Sequence, residues 1–199
     1  MADMEKTGKN LEGRGFRVHR FASGAEAADY LVQTLHGTSI GIGGSVTIDT
    51  LGVYDRLCRS NEVFWHWKNH APETRERAGK AETYLCSANG VSENGEIVNI
   101  DGFGNRVAGT IYGPERVFLV VGRNKIAPDL TGAIDRARNI AAPLNARRLN
   151  RHTPCAVGEP RCHDCRSPEK VCGVMTVFFM PPTSIKEFHV LLVNEDLGY

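Results

Sequence analysis

Four of the chain's six cysteines, Cys155, Cys162, Cys165 and Cys172, stand within eighteen residues in a C-x6-C-x2-C-x6-C pattern. A segment with two prolines between its outer cysteines and few apolar residues cannot hold itself together by burial, so something else must gather these thiols. Cys162 and Cys165 are close enough in sequence to ligate one metal, as a C-x2-C unit does in zinc and iron–sulfur sites. Four thiolates suit a four-iron cluster and equally suit tetrahedral zinc, and the spacing follows neither the usual ferredoxin run nor a standard zinc ribbon. The leading expectation is an iron–sulfur cluster, with zinc as the alternative; disulfides and unrelated buried thiols weigh less. His152 and His163 could substitute for a cysteine, though each reads better as a neighbour than as a ligand. Cys58 and Cys86 fall in a predicted helix and strand and read as small buried hydrophobes.

A second chemistry is anion binding. Gly41-Ile42-Gly43-Gly44-Ser45 follows a predicted strand and opens a helix, so Gly43, Gly44 and Ser45 either cradle an anion or simply make a tight turn. The run is neither a dinucleotide fingerprint nor a P-loop, because the G-x-G-x-x-G spacing and the Gly-Lys-Ser/Thr ending are both absent. Asn99 to Arg106 forms another strand-to-helix turn, in which Asp101, Asn105 and Arg106 offer an acid, an amide and a guanidinium. Arg106 could fork onto a carboxylate or phosphate; the plainer reading is that Asp101 and Asn105 fill turn and cap positions. Asn124 and Lys125 end the clearest strand, where open α/β sheets bind ligands, although Lys125 could as well be a solvated surface lysine. Asn145, Arg147, Arg148 and Arg151 form a basic run into the cysteines. Such a run is a solvated face, an offset to thiolate charge, or a grip on an acidic ligand.

The scaffold for these groups is legible as alternation. Phe16 to Phe21 reads as strand, and Ser23 with Glu26 forms a capping box for a helix reaching about Leu35, stopped by Gly37. A strand from Thr38 to Gly43 leads into a helix from Ser45 to Leu57. Val63 to Trp67 and Thr83 to Cys86 read as strands around a helix from Glu73 to Lys80. Asn94-Gly95 turns a hairpin between Val91-Ser92 and Glu96 to Ile100. Arg116 to Val121 is the clearest strand, followed by a helix from Asp129 to about Ala141, and Val174 to Met180 and Glu187 to Val193 close the chain. The result is an α/β protein, a doubly wound and mostly parallel sheet with antiparallel additions at the hairpin. Residues 1–199 are expected to form one domain, with residues 147–173 as a cysteine-rich excursion.

Composition narrows the partners. A net charge of +1 with 24% charged residues gives no general pull toward nucleic acid. No apolar stretch reaches membrane-spanning length and the N-terminus lacks a signal-peptide core, so a cytoplasmic protein is expected, where thiols stay reduced. A homo-oligomer stays open.

Several motifs stand together in order: Gly41 to Thr47, Val98 to Ala108, Tyr112-Gly113-Pro114, Val120 to Ile126, Asn139 to Asn150, Thr153-Pro154-Cys155, Cys162 to Pro168 and the closing Leu197-Gly198-Tyr199. This combination resembles the stand-alone lactate-utilisation (LUD) domain proteins over nearly the whole chain. The resemblance implies a fold like the ribose-phosphate isomerase, glucosamine-phosphate deaminase and CoA-transferase group. It also implies an association with lactate oxidation to pyruvate beside iron–sulfur proteins. One departure is Phe103, where the family commonly has the first asparagine of Gly-Asn-Gly-Asn-Arg. The expectation is a redox-associated protein that takes a small anionic metabolite over Gly43, Gly44 and Ser45, with Asp101, Asn105, Arg106, Asn124 and Lys125 lining the pocket. It has no flavin motif, no hydride acceptor and no evident general base, which favours a subunit working with an iron–sulfur partner. The runner-up is an isomerase- or CoA-transferase-like enzyme, or a binding protein, for a phosphorylated or CoA-type ligand, stapled by structural zinc. A non-catalytic interaction module is the third reading.

Overall fold

The computed structural model describes residues 3–199. Its centre is a six-stranded sheet built from β1 (Arg17–Phe21), β2 (Ser39–Ile42), β3 (Glu62–Trp65), β4 (Thr83–Ser87), β7 (Arg116–Gly122) and β10 (Glu187–Val193). The strand order is β1-β10-β7-β4-β2-β3 and every pairing is parallel. Parallel strands need crossovers, and the apolar runs at 117–121 and 190–193 are long enough to be buried on both faces. Alternation divides those runs. Val117, Leu119 and Val121 join one core with Leu11, Tyr84, Val190 and Leu192, whereas Phe118 and Val120 join the other with Leu31, Ile42, Leu191 and Val193.

One face is covered by α2 (Gly24–Thr34), α3 (Val46–Leu51) and α4 (Tyr54–Leu57), the other by α1 (Met4–Gly13), α5 (Thr74–Gly79) and a second sheet. That second sheet runs β8 (Ile126–Ala127), β5 (Gly90–Ser92), β6 (Ile97–Asp101), β9 (Val174–Phe178). The Asn94-Gly95 hairpin pairs β5 with β6 antiparallel as expected, but within this separate sheet instead of on the edge of the main one. Its outer side packs Val98 and Ile100 against Ala133, Ala137 and Ala142 of a long helical stretch.

Two helices differ from expectation. The helix read from Ser45 to Leu57 breaks at Gly52, which ends α3 in the left-handed region at φ 63°, a conformation that suits glycine. The helix read to Ala141 continues. After α7 (Leu130–Arg136) comes a wide π-turn over Ala137–Ala141, then α8 (Ala142–Arg148). Pro143 has no N–H to give the carbonyl four residues back, and its ring needs room there; the widened turn provides it. Ser23 caps α2 through the Glu26 N–H at 3.3 Å, as the box predicts, while Glu26 reaches back to the Ala22 N–H at 2.9 Å. Cys86 is buried in β4, but Cys58 is exposed after α4, so only one of the two behaves as a buried hydrophobe. Among the described residues, no helix is long and apolar enough to cross a membrane.

Candidate functional site

Because the main sheet is parallel, all its strands end along one edge, and a cavity of about 840 Å³ opens there. Gly44, Ser45 and Thr47 reach it from the turn after β2, His66 and Trp67 from β3, and Ser87 from β4. Asp101 closes β6 and Gly102, Phe103, Asn105 and Arg106 follow it, Lys125 follows β7, and Tyr199 comes from the tail beyond β10. Six of the eight anticipated ligand-binding residues therefore line one space. Gly43 and Asn124 do not. Gly43 lies beneath, where a side chain would start 3.0 Å from both Arg106 Cγ and the Tyr84 hydroxyl. Asn124 ties down the tail, accepting from the Leu197 N–H and donating to the Gly198 carbonyl, both at 3.1 Å.

Contacts inside the cavity sort structural groups from available ones. Asp101 accepts the backbone N–H groups of Phe103 (3.2 Å), Arg106 (3.0 Å) and Val107 (3.2 Å), so its carboxylate caps α6 (Asn105–Ile111). The Arg106 guanidinium bonds Asn99 Oδ1 (2.9 Å), Asn89 Oδ1 (2.6 Å) and the carbonyls of Ser87 (3.1 Å) and Ile100. Its fork is spent inside the protein, and it contributes charge to the cavity more than a free bidentate face. The Asn105 carbonyl receives the Tyr84 hydroxyl at 3.2 Å, while its side chain borders the cavity. Phe103, 76% exposed, stands at the rim with the Arg75 guanidinium 5.0 Å from its ring centre.

Lys125 is the outlier. It is 2% exposed, so the surface-lysine reading is set aside, and Nζ donates to Thr47 Oγ1 and Ser87 Oγ, both at 2.7 Å. Burial first, then the Arg136 and Arg106 charges, hold its pKa well below the usual lysine value of 10.5, against a smaller pull from Cys86. Besides Lys125, six lysine and arginine side chains line the cavity, Lys68, Arg75, Arg106, Arg148, Arg151 and Lys170, against three acids. Each acid is occupied: Asp49 pairs with Lys68 at 3.0 Å, Glu169 takes the His152 N–H at 2.8 Å, and Asp101 caps α6. The excess positive charge in an almost neutral chain fits an anionic guest.

The sequence reading missed His66, which lines the cavity with Nδ1 buried and without a partner. Burial first, then Arg75 and His70, push its pKa below the ordinary value, against a smaller pull from Asp101. It lies at the end of an apolar strand, and only the strand-end rule could have singled it out. Arg148 also comes into play, stacked 4.5 Å over the Trp67 ring and donating to the Tyr199 hydroxyl at 2.7 Å.

Beside this space Cys155, Cys162, Cys165 and Cys172 line a second, small cavity of about 20 Å³ with Arg138, Thr153, Lys170 and Val171. All four thiols are free. The π-turn supplies the local support: Asn139 Oδ1 accepts the Cys162 N–H at 2.8 Å and Arg138 donates to Cys162 Sγ at 3.3 Å. The Asp164 N–H adds a further contact to that sulfur at 3.4 Å. Burial pushes the Cys172 thiol up, Lys170 opposes this, and the other three cysteines reinforce it, so the four sulfurs feel one another. Among the described residues no group of three or more His, Cys, Asp or Glu could hold a single metal ion. The four cysteines therefore border one small cavity without forming such a group. His163 borders this cavity and bonds the Glu159 carbonyl at 3.2 Å; His152 pairs with Glu169. Of the basic run, Arg147 clamps the carbonyls of Ala156 (3.1 Å) and Gly158 (2.6 Å), and Arg148 and Arg151 face the large cavity.

The two cavities share Ala142, Lys170 and Val171 as a wall. A side chain on Gly102 would start 2.7 Å from Val171 Cα, so the turn after β6 lies directly against the cysteine segment. Fold and site together define an open, parallel-sheet α/β protein with a basic strand-end cavity roofed by a cysteine-bearing segment. Residues 4–193 match the family described as LUD domain, and the chain belongs to that family. A solved DUF162 family protein from Deinococcus radiodurans shares the fold at a TM-score of 0.56 and 13% identity, over 96% of this chain and 95% of that one. No curated protein matches.

Proposed function

We propose that this LUD-domain protein binds a small hydroxy or oxo acid, lactate or pyruvate, in the basic cavity and acts there as a redox subunit. An iron–sulfur cluster on Cys155, Cys162, Cys165 and Cys172 would supply one-electron transfer toward an iron–sulfur partner protein. The observation that carries this reading is the shared wall, which sets four free thiols beside a cation-lined space. Arg106 provides positive charge for the carboxylate, and the His66 ring, its pKa lowered by burial, borders the same space as a proton acceptor for a hydroxyl. Arg138 and Lys170 offset negative charge on the sulfurs.

A second reading keeps the cavity and changes the guest. At about 840 Å³, with Lys68, Arg75, Arg148 and Arg151 further out, the space has room and charge for a phosphorylated or CoA-type ligand, the cysteines then holding structural zinc. Protein purified without oxygen and assayed for iron, sulfide and zinc, then titrated calorimetrically with lactate, pyruvate and inorganic phosphate, separates the two. Iron with sulfide and carboxylate binding that disappears in Lys125→Met is the expected result. Zinc with a preference for phosphate establishes the second reading, and binding of neither anion rules out both.

A further inference from the structure

We propose that Lys125 captures a short 2-oxo acid covalently, as an imine on Nζ. This rests on the reading that the cavity takes small carboxylic acids, and it specifies the carbonyl carbon and the bond.

The two hydroxyls that hold the amine have their own protons committed elsewhere. Thr47 donates to the Leu197 carbonyl at 3.2 Å and Ser87 to the Val120 carbonyl at 2.6 Å. Each can therefore only accept from Nζ, which it does at 2.7 Å. Two N–H bonds and the bond to Cε fill three of the nitrogen's four tetrahedral directions. The fourth meets no protein partner among the described residues, on a side chain that borders the cavity.

A proton in that fourth position has little to favour it. No carboxylate bonds the amine, Asp101 spends its oxygens on backbone N–H groups, and Cys86 stays a neutral thiol because burial raises its pKa to about 12. Burial and the Arg136 and Arg106 charges act against the ammonium form. What remains is a lone pair, the requirement for a nucleophilic lysine. Ser87 as a nucleophile activated by Lys125 is the competing use of this pair, but its proton already lies on the Val120 carbonyl.

A 2-oxo acid complements this arrangement, since its carboxylate answers the Arg106 charge at the cavity wall and its adjacent carbonyl carbon can meet the lone pair. The N–C bond forms as the C=O π pair moves to oxygen, and one N–H proton passes to that oxygen to give a carbinolamine. The C–O bond then breaks, the second N–H proton leaves with the hydroxyl as water, and C=N forms. No oxidant or reductant is consumed.

The test is borohydride trapping of the full-length protein with pyruvate, read by intact mass and peptide mapping. One reduced adduct per chain, located on Lys125, is expected. It should be missing without pyruvate, missing with lactate, which has no ketone carbonyl, and missing in Lys125→Met and Lys125→Arg. Ser87→Ala keeps the amine but removes one acceptor, and should slow trapping severalfold; an unchanged rate there would overturn the hydroxyl-held geometry. Adducts spread over surface lysines and undiminished in Lys125→Met would overturn the proposal. So would the lack of any adduct at a pyruvate concentration that saturates the calorimetric signal, an outcome that leaves acid binding intact. Loss of both signals removes both readings.

Discussion

An amine at 2% exposure, held by two hydroxyls and facing no carboxylate, destabilises the fold that contains it. Replacing Lys125 by methionine keeps the volume and removes the desolvated amine, so Lys125→Met should stabilise the protein by about 1–3 kcal/mol, roughly 2–4 °C in Tm per kcal/mol for a chain of this size. Thermal melting checks this. The pH dependence has a definite sign. The folded pKa of Lys125 lies below its ordinary value of 10.5, so between the two the unfolded chain holds more protons and stability rises with pH. Below pH 10.5, wild-type Tm should therefore climb with pH more steeply than that of Lys125→Met. Equal slopes would show that the amine is not depressed. A variant more stable than wild type but unable to bind acid is the usual mark of a residue kept for function.

At the scale of elements, the strand-end loops and the π-turn set the geometry. The strand limits and the turns after β2, β6 and β7 could be read from apolar runs bounded by glycine and asparagine. The π-turn could not be read, because helical periodicity hardly changes across one widened turn while its hydrogen bonds do. That turn presents Arg138 and Asn139 to Cys162. Gly102 makes the other junction, with Val171 backbone 2.7 Å from where a side chain would begin. Gly102→Ala should displace the cysteine segment at a cost of about 1–3 kcal/mol, leaving the main sheet intact. Thiol alkylation would report it: Cys162 and Cys172 should react faster, whereas Cys86, inside β4, stays protected. If Cys86 opens in step with them, the segment and the sheet form one cooperative unit.

Across the whole molecule the central strands β7 and β10 are enclosed by neighbours and by both cores, while residues 150–173 have only the short helix α9 (Pro154–Val157). Hydrogen exchange should be slowest in β7 and β10 and fastest through 150–173, and bound acid should slow exchange at the turns after β2, β6 and β7. Comparable protection across the cysteine segment would contradict this order. The sequence by itself determined the α/β class, the parallel sheet, the four-cysteine set and the loops that reach one cavity, because hydrophobic period, turn residues and cysteine spacing are local signals. Only the tertiary structure decided that Arg106 and Asp101 are spent on the fold, that Lys125 is buried without an acid, and that His66 lines the cavity. It alone decided, too, that the cysteine segment shares a wall with the basic space. Those facts depend on which distant groups meet, Thr47 and Ser87 with Lys125 or Gly102 with Val171, and spacing along a chain carries no record of that.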